Sequence, residues 1–136
     1  MTMKITVTVT ATQEERLKVI HTAICNTWLF YNTLRFKRNQ TLHNETRIEL
    51  QNSGRFKEDV VCFEDILVKM VADGAVIHII DTEDDDIVGE LSLAKIEKNW
   101  DKIDSKDLIY IINENEDADT ADNILQYITL GNIVYS

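Results

Sequence analysis

Between residues 62 and 100 the hydrophobic period of the chain changes twice, from helical to alternating and back. Phe63, Ile66, Leu67, Met70 and Val71 recur at the spacing of one helix face. Gly74 follows, where a left-handed residue would end that helix. Residues 75–80 are a short apolar run, 81–86 an acidic turn and 87–91 a returning run, which together predict a β-hairpin. Ser92 then caps a further helix carrying Leu93, Ile96 and Trp100 on one side.

The flanks extend this pattern. Residues 3–11 alternate and predict a half-buried strand. Thr12 and Glu15 form a capping box that opens a helix to about Asn26, with Leu17, Ile20 and Ile24 on its inner face. Residues 28–37 read as a second strand, with Trp28, Phe30, Leu34 and Phe36 on one face and Leu29, Tyr31, Thr33 and Arg35 on the other. Residues 38–57 are polar, show no clear helical stripe and read as an insertion or mobile loop, with a short strand over 47–50. Residues 105–114 fit a buried strand or a short buried helix; their polar flanks and the helix directly after favour helix. Asp117, Asp119 and Thr120 crowd the start of the last helix, whose apolar stripe is Ala121, Ile124, Leu125 and Ile128. Gly131 ends it, and residues 132–135 close the chain as a strand. The order predicts one α+β domain over 1–136, a mainly antiparallel sheet with helices packed on one face. A chain of 136 residues can bury a core without disulfides or structural metal.

Charge is unevenly distributed. The net charge is −10, which excludes a generally basic protein that coats nucleic acid. Residues 1–57 carry +5, residues 58–80 −4 and residues 81–136 −11. The basic share lies at Arg35, Lys37, Arg38, Arg47, Arg55 and Lys57, interleaved at its start with Trp28, Phe30, Tyr31 and Phe36. Aromatics beside cations can stack a base while neutralising phosphate, or they are a core strand with a charged edge. The candidate ligand-binding residues are therefore Trp28, Tyr31, Arg35, Lys37, Arg38 and Arg47, joined by Gln126 and Tyr127 as a mixed amide and aromatic pair. Glu83, Asp84, Asp85 and Asp86, with Asp117, Asp119 and Asp122, are either solvated faces and helix caps or an acidic surface for a cationic partner.

Chemistry-bearing motifs are scarce. The run from Asp81 resembles a calcium loop, but Asp86 and Ser92 stand where glycine and glutamate are required. Asp117, Asp119 and Asp122 fit capping better than metal binding. His21, His43 and His78 have no zinc spacing, and the sequence holds no GxSxG, GxxxxGK or GxGxxG. Cys25 and Cys62 read as small buried hydrophobes of a reducing cytosol. Neither a secretory signal nor a membrane span is expected. With no nucleophile, base and orienter set, the chain reads as a non-enzyme without cofactor or metal.

From Asp117 the chain ends DADTADNILQYITLGNIVYS. This resembles the closing segment of small uncharacterised proteins of tailed phages and prophages, D-A-x-x-A-D-x-I-x-Q-Y followed by G-x-x-V-Y. The matching positions are Asp117, Ala118, Ala121, Asp122, Ile124, Gln126, Tyr127, Gly131, Val134 and Tyr135, with departures at Ile128, Thr129, Leu130 and Ser136. The resemblance implies a phage gene product in a host bacterial cytoplasm, or in the virion, and supplies no catalytic residues. The expected function is an accessory protein that meets a host or phage protein through charged surfaces, such as an inhibitor of a host defence system or host enzyme. The alternatives are a binder that sequesters a nucleotide or other anionic small ligand, and a virion component. Self-association, most simply as a two-fold dimer, is compatible with all three.

Overall fold

The computed structural model describes residues 11–54, 61–113 and 117–135. Apart from Ala11, the predicted first strand lies outside them, as do Arg55 and Lys57. The described residues form seven α-helices and three strands, an α+β fold.

Local signals place most elements. Helix α1 (Gln13–Asn26) opens on the expected capping box: Glu15 N–H donates to Thr12 Oγ1 at 3.1 Å, and Thr12 N–H to Glu15 Oε1 at 3.0 Å. Helix α4 (Phe63–Ala72) buries Ile66, Leu67, Met70 and Val71, and Gly74 follows it with φ +98°. The hairpin is β2 (Ile77–Asp81) and β3 (Ile87–Leu91). Ser92 caps α5 (Leu93–Asn99), which tightens into a 3₁₀ turn over Trp100–Lys102. Residues 105–112 are helical, as favoured, and form α6 (Ser105–Ile112). Helix α7 (Ala118–Leu130) is capped by Asp117 and ends at Gly131, φ +81°.

The predicted strand over 28–37 is corrected in its first half. Leu29–Asn32 is a single helical turn, α2, and only β1 (Leu34–Lys37) is extended. The cause is distant in sequence. The Asp122 carboxylate accepts the Thr27 hydroxyl and the N–H groups of Trp28 and Leu29, the latter two at 3.0 and 3.1 Å. A carboxylate on the first N–H groups of a turn satisfies donors that a strand would leave unpaired there. Trp28 is consequently exposed rather than on a core face.

The short strand expected over 47–50 is also corrected. It lies in helix α3 (Gln40–Asn52), capped by Asn39, whose side chain accepts from Leu42 N–H at 3.0 Å. The buried positions of α3 are His43, Thr46 and Leu50. Two of the three are polar, so a hydropathy stripe was not visible.

The sheet order is β1-β2-β3, antiparallel throughout, with Phe36 opposite Ile79, Ile79 opposite Gly89 and Ile77 opposite Leu91. Leu34, Phe36, Ile77, Ile79 and Leu91 are buried and belong to the main core, while Arg35, Lys37 and His78 are exposed. Helix α7 packs on α1, α5, α6 and β3. It approaches β3 so closely that a Cβ at Gly89 would collide with the Thr129 carbonyl oxygen and the Leu130 side chain.

The expected closing strand is replaced by a clip. Gln126 Oε1 accepts from Val134 N–H at 2.9 Å and Tyr135 N–H at 2.8 Å, and its Nε2 donates to the Tyr135 carbonyl at 3.0 Å. One buried amide side chain thus satisfies the tail as a neighbouring strand would. Among the described residues, no helix is long and apolar enough to cross a membrane.

Candidate functional site

The turn α2, strand β1 and the start of α4 line a half-open cavity of about 220 Å³. Tyr31, Arg35, Phe36, Arg38, Phe63 and Thr82 line it over a floor of Phe30 and Leu34. Each element places its residues for a local reason. Strand alternation buries Phe36 and leaves Arg35 outside. The α2 turn brings Tyr31 to the Phe36 ring, edge-on with centroids 6.3 Å apart. Phe63 is the first residue of α4, and its ring lies 5.9 Å from Tyr31 and 6.2 Å from Phe36.

The electrostatics are those of an aromatic wall with cations beside it. The Arg38 guanidinium lies over the Phe63 ring at 4.7 Å. Its Nε is buried and has no hydrogen-bond partner among the described residues. Arg35 Nη2 is 3.6 Å from Asp85 Oδ1, but both side chains are well exposed, so this pair is weak and easily exchanged. The Tyr31 hydroxyl is pushed up to about 12 by burial, and further by the Glu64 carboxylate and the Cys25 thiol. It is therefore a neutral hydrogen-bonding group at physiological pH.

Of the residues chosen from sequence for ligand binding, Tyr31, Arg35 and Arg38 meet in this cavity. Trp28, Lys37 and Arg47 are exposed and do not line it. Gln126 is the tail clip, and Tyr127 packs against the core. Phe63 and Thr82 were not anticipated as wall residues, because they reach the cavity only through packing of α4 and through the register that sets Leu34 opposite Asp81.

The acidic residues separate into different roles. Glu83, Asp84, Asp85 and Asp86 form an exposed hairpin turn, with Asp85 at φ +58°. The pairing of β1 with β2 sets this turn beside Arg35, so basic and acidic segments adjoin. Asp117 caps α7, and Asp119 is exposed in its first turn. The Asp107 carboxyl is held above the usual range by burial, and by Asp104 and Asp117 nearby, so the starts of α6 and α7 share one acidic patch. Asp122 is committed to the α2 turn.

The cysteine expectation is corrected: Cys25 and Cys62 are both exposed and free. Helix spacing puts His21 and Cys25 on one face of α1, beside the first turn of α4. Among the described residues, His21, Cys25 and Glu64 are the one group of three with the donor types and spacing to hold a metal ion. The sequence signal was H-x-x-x-C on a helix, a spacing outside the histidine-only patterns considered. No protein-family model, curated protein or solved structure matches the chain.

Proposed function

We propose that the chain is a non-enzymatic binding protein for a small anion carrying one planar ring, of the nucleoside monophosphate class. The observation that carries this is the pairing of Arg35 and Arg38 with the aromatic wall of Tyr31, Phe36 and Phe63 around one cavity. A ring packs against the exposed Tyr31 side chain, and a phosphate draws the Arg35 side chain from its weak pairing with Asp85. The buried Nε of Arg38, which has no partner among the described residues, gains an acceptor. At about 220 Å³ the cavity is below the ~300–1,000 Å³ of common small-molecule sites, which suits one ring and not a dinucleotide.

Thermal-shift and calorimetric titration with nucleoside monophosphates, the matching nucleosides and inorganic phosphate tests this. A ligand at 100 times its Kd stabilises the native state by about 2.7 kcal/mol, a readily measured rise in Tm. Arg38→Gln and Phe63→Leu should weaken binding at least tenfold, while Lys37→Gln and Arg47→Gln should not. No response across the set at high excess overturns the proposal.

The hairpin turn favours a second reading, a phage accessory protein that holds a cationic protein partner. It presents Glu83, Asp84, Asp85 and Asp86 to solvent beside the exposed Ile87, a charged rim around an apolar contact. Pulldown from bacterial lysate over a salt series, beside a Glu83→Gln/Asp84→Asn/Asp86→Asn variant, tests it. Retention of the same partner by the variant at every salt concentration ends this reading.

A further inference from the structure

We infer that His21, Cys25 and Glu64 form a binding site for a divalent transition-metal ion of the zinc class. The three donor atoms lie within 4.8 Å of one another, on two packed helices. His21 Nδ1 and Cys25 Sγ are already 3.8 Å apart. Ligands around tetrahedral zinc, with bonds of ~2.0–2.3 Å, stand about 3.5 Å from each other. The remaining closure falls within the rotamer freedom of one glutamate side chain.

The neighbouring contacts fit a metal site. The other nitrogen of the same imidazole, Nε2, is 2.7 Å from Asp65 Oδ1. A ligating histidine characteristically gives its second ring N–H to a carboxylate, which fixes the tautomer and frees the first nitrogen for the metal. Asp65 is itself fixed, because its Oδ2 accepts the Cys62 N–H at 3.0 Å in the cap of α4. Asp65 is therefore a positioning residue held by the helix start. The His21 and Glu64 side chains are partly exposed and Cys25 is exposed, so an ion can enter.

The mixed nitrogen, sulfur and carboxylate set suits borderline Zn²⁺ over Mg²⁺ or Ca²⁺, which prefer oxygen ligands alone. On coordination the Cys25 S–H proton goes to solvent as the S–metal bond forms. Tyr31 feels both Glu64 and Cys25, which places the cluster next to the aromatic cavity. The two sites rest on different residues.

The test is titration of the reduced, metal-free protein with Co²⁺, followed by displacement with Zn²⁺. One Co²⁺ per chain should bind with a thiolate-to-cobalt charge-transfer band, and Zn²⁺ should remove that band stoichiometrically. Cys25→Ser should abolish the band, and His21→Gln should weaken binding at least tenfold. Asp65→Asn should weaken binding by ~10–100-fold while the band persists in saturated protein. Glu64→Gln, at a partly exposed position, gives the same test should His21→Gln fail to fold, and should also weaken binding tenfold or more. Absence of the band at equimolar metal, or equal binding by Cys25→Ser and wild type, overturns the site. Arg38→Gln should leave the cobalt titration unchanged, so failure of nucleotide binding and failure of metal binding are separately visible.

Discussion

Helices α3 and α7 are both 13 residues long, yet they relate to the core in opposite ways. Helix α7 buries seven side chains and packs against α1, α5, α6, the α2 turn and the edge strand β3. Helix α3 buries three and packs chiefly on α4. Four of the seven inward side chains of α7 are apolar: Ala121, Ile124, Leu125 and Ile128. The rim near the cavity uses polar groups turned inward: the His43 ring of α3 lies tilted against Phe63, the cavity's wall, with ring centroids 6.1 Å apart. The cavity is walled by the α2 turn, β1 and the first turn of α4, and α3 reaches it only from behind Phe63.

The largest expected difference is volumetric. Leu125→Ala in α7 should cost about 3–5 kcal/mol, because Leu125 is fully buried with no route to collapse. Leu50→Ala in α3 should cost about 2 kcal/mol, the low end for such truncations, because the site can relax toward solvent. Urea unfolding at constant m-value reads both. Equal costs would break the contrast between centre and rim.

Capping comes next. Asp122 of α7 serves three donors at the entry to the α2 turn, two of these bonds partly buried, so Asp122→Ala should cost about 2 kcal/mol through donors left unpaired. Asn39 serves one exposed amide of α3, and Asn39→Ala should cost about 1 kcal/mol. A smaller glycine pair follows the same logic. Gly89→Ala meets the backbone of α7 and should cost about 2 kcal/mol. Gly54→Ala after α3 has open space and loses only the ~1 kcal/mol of its φ +73°. Denaturant midpoints of the four variants order these effects.

The same contrast explains what the sequence made legible. Helices α1, α4, α5 and α7 and the β2–β3 hairpin carry apolar periodicity together with local caps and turns, and each was readable from a window of about a dozen residues. Helix α3 was hidden because its inward side chains are His43 and Thr46. The α2 turn was hidden because its cap, Asp122, is 93 residues away from Leu29. At the cavity, Tyr31, Arg35 and Arg38 were legible as cations among aromatics. Phe63 and Thr82 depend on tertiary packing that no local pattern encodes. The metal-ligand group failed to stand out for the same reason: His21 and Cys25 are local, but Glu64 comes from another helix.

The smallest expected effect concerns pH, and it sharpens the contrast in a single molecule. The His43 imidazole is held below its ordinary value of 6.5 by burial, and further by the Arg38 and Arg47 charges. In the unfolded chain it takes up its proton first as pH falls. Its neutral form therefore favours the native state fully above about pH 6.5, and that contribution is lost progressively as pH falls below it. The loss should concentrate in α3, since α7 contains no histidine. Hydrogen exchange at pH 7.5 and pH 5.5, corrected for intrinsic rates, should show α3 amides losing protection while α7 amides hold theirs. His43→Phe should flatten that response, because the ring contact with Phe63 is kept and the titrating group is gone. Equal loss of protection in both helices would place the acid sensitivity elsewhere and remove the distinction between a polar rim and an apolar centre.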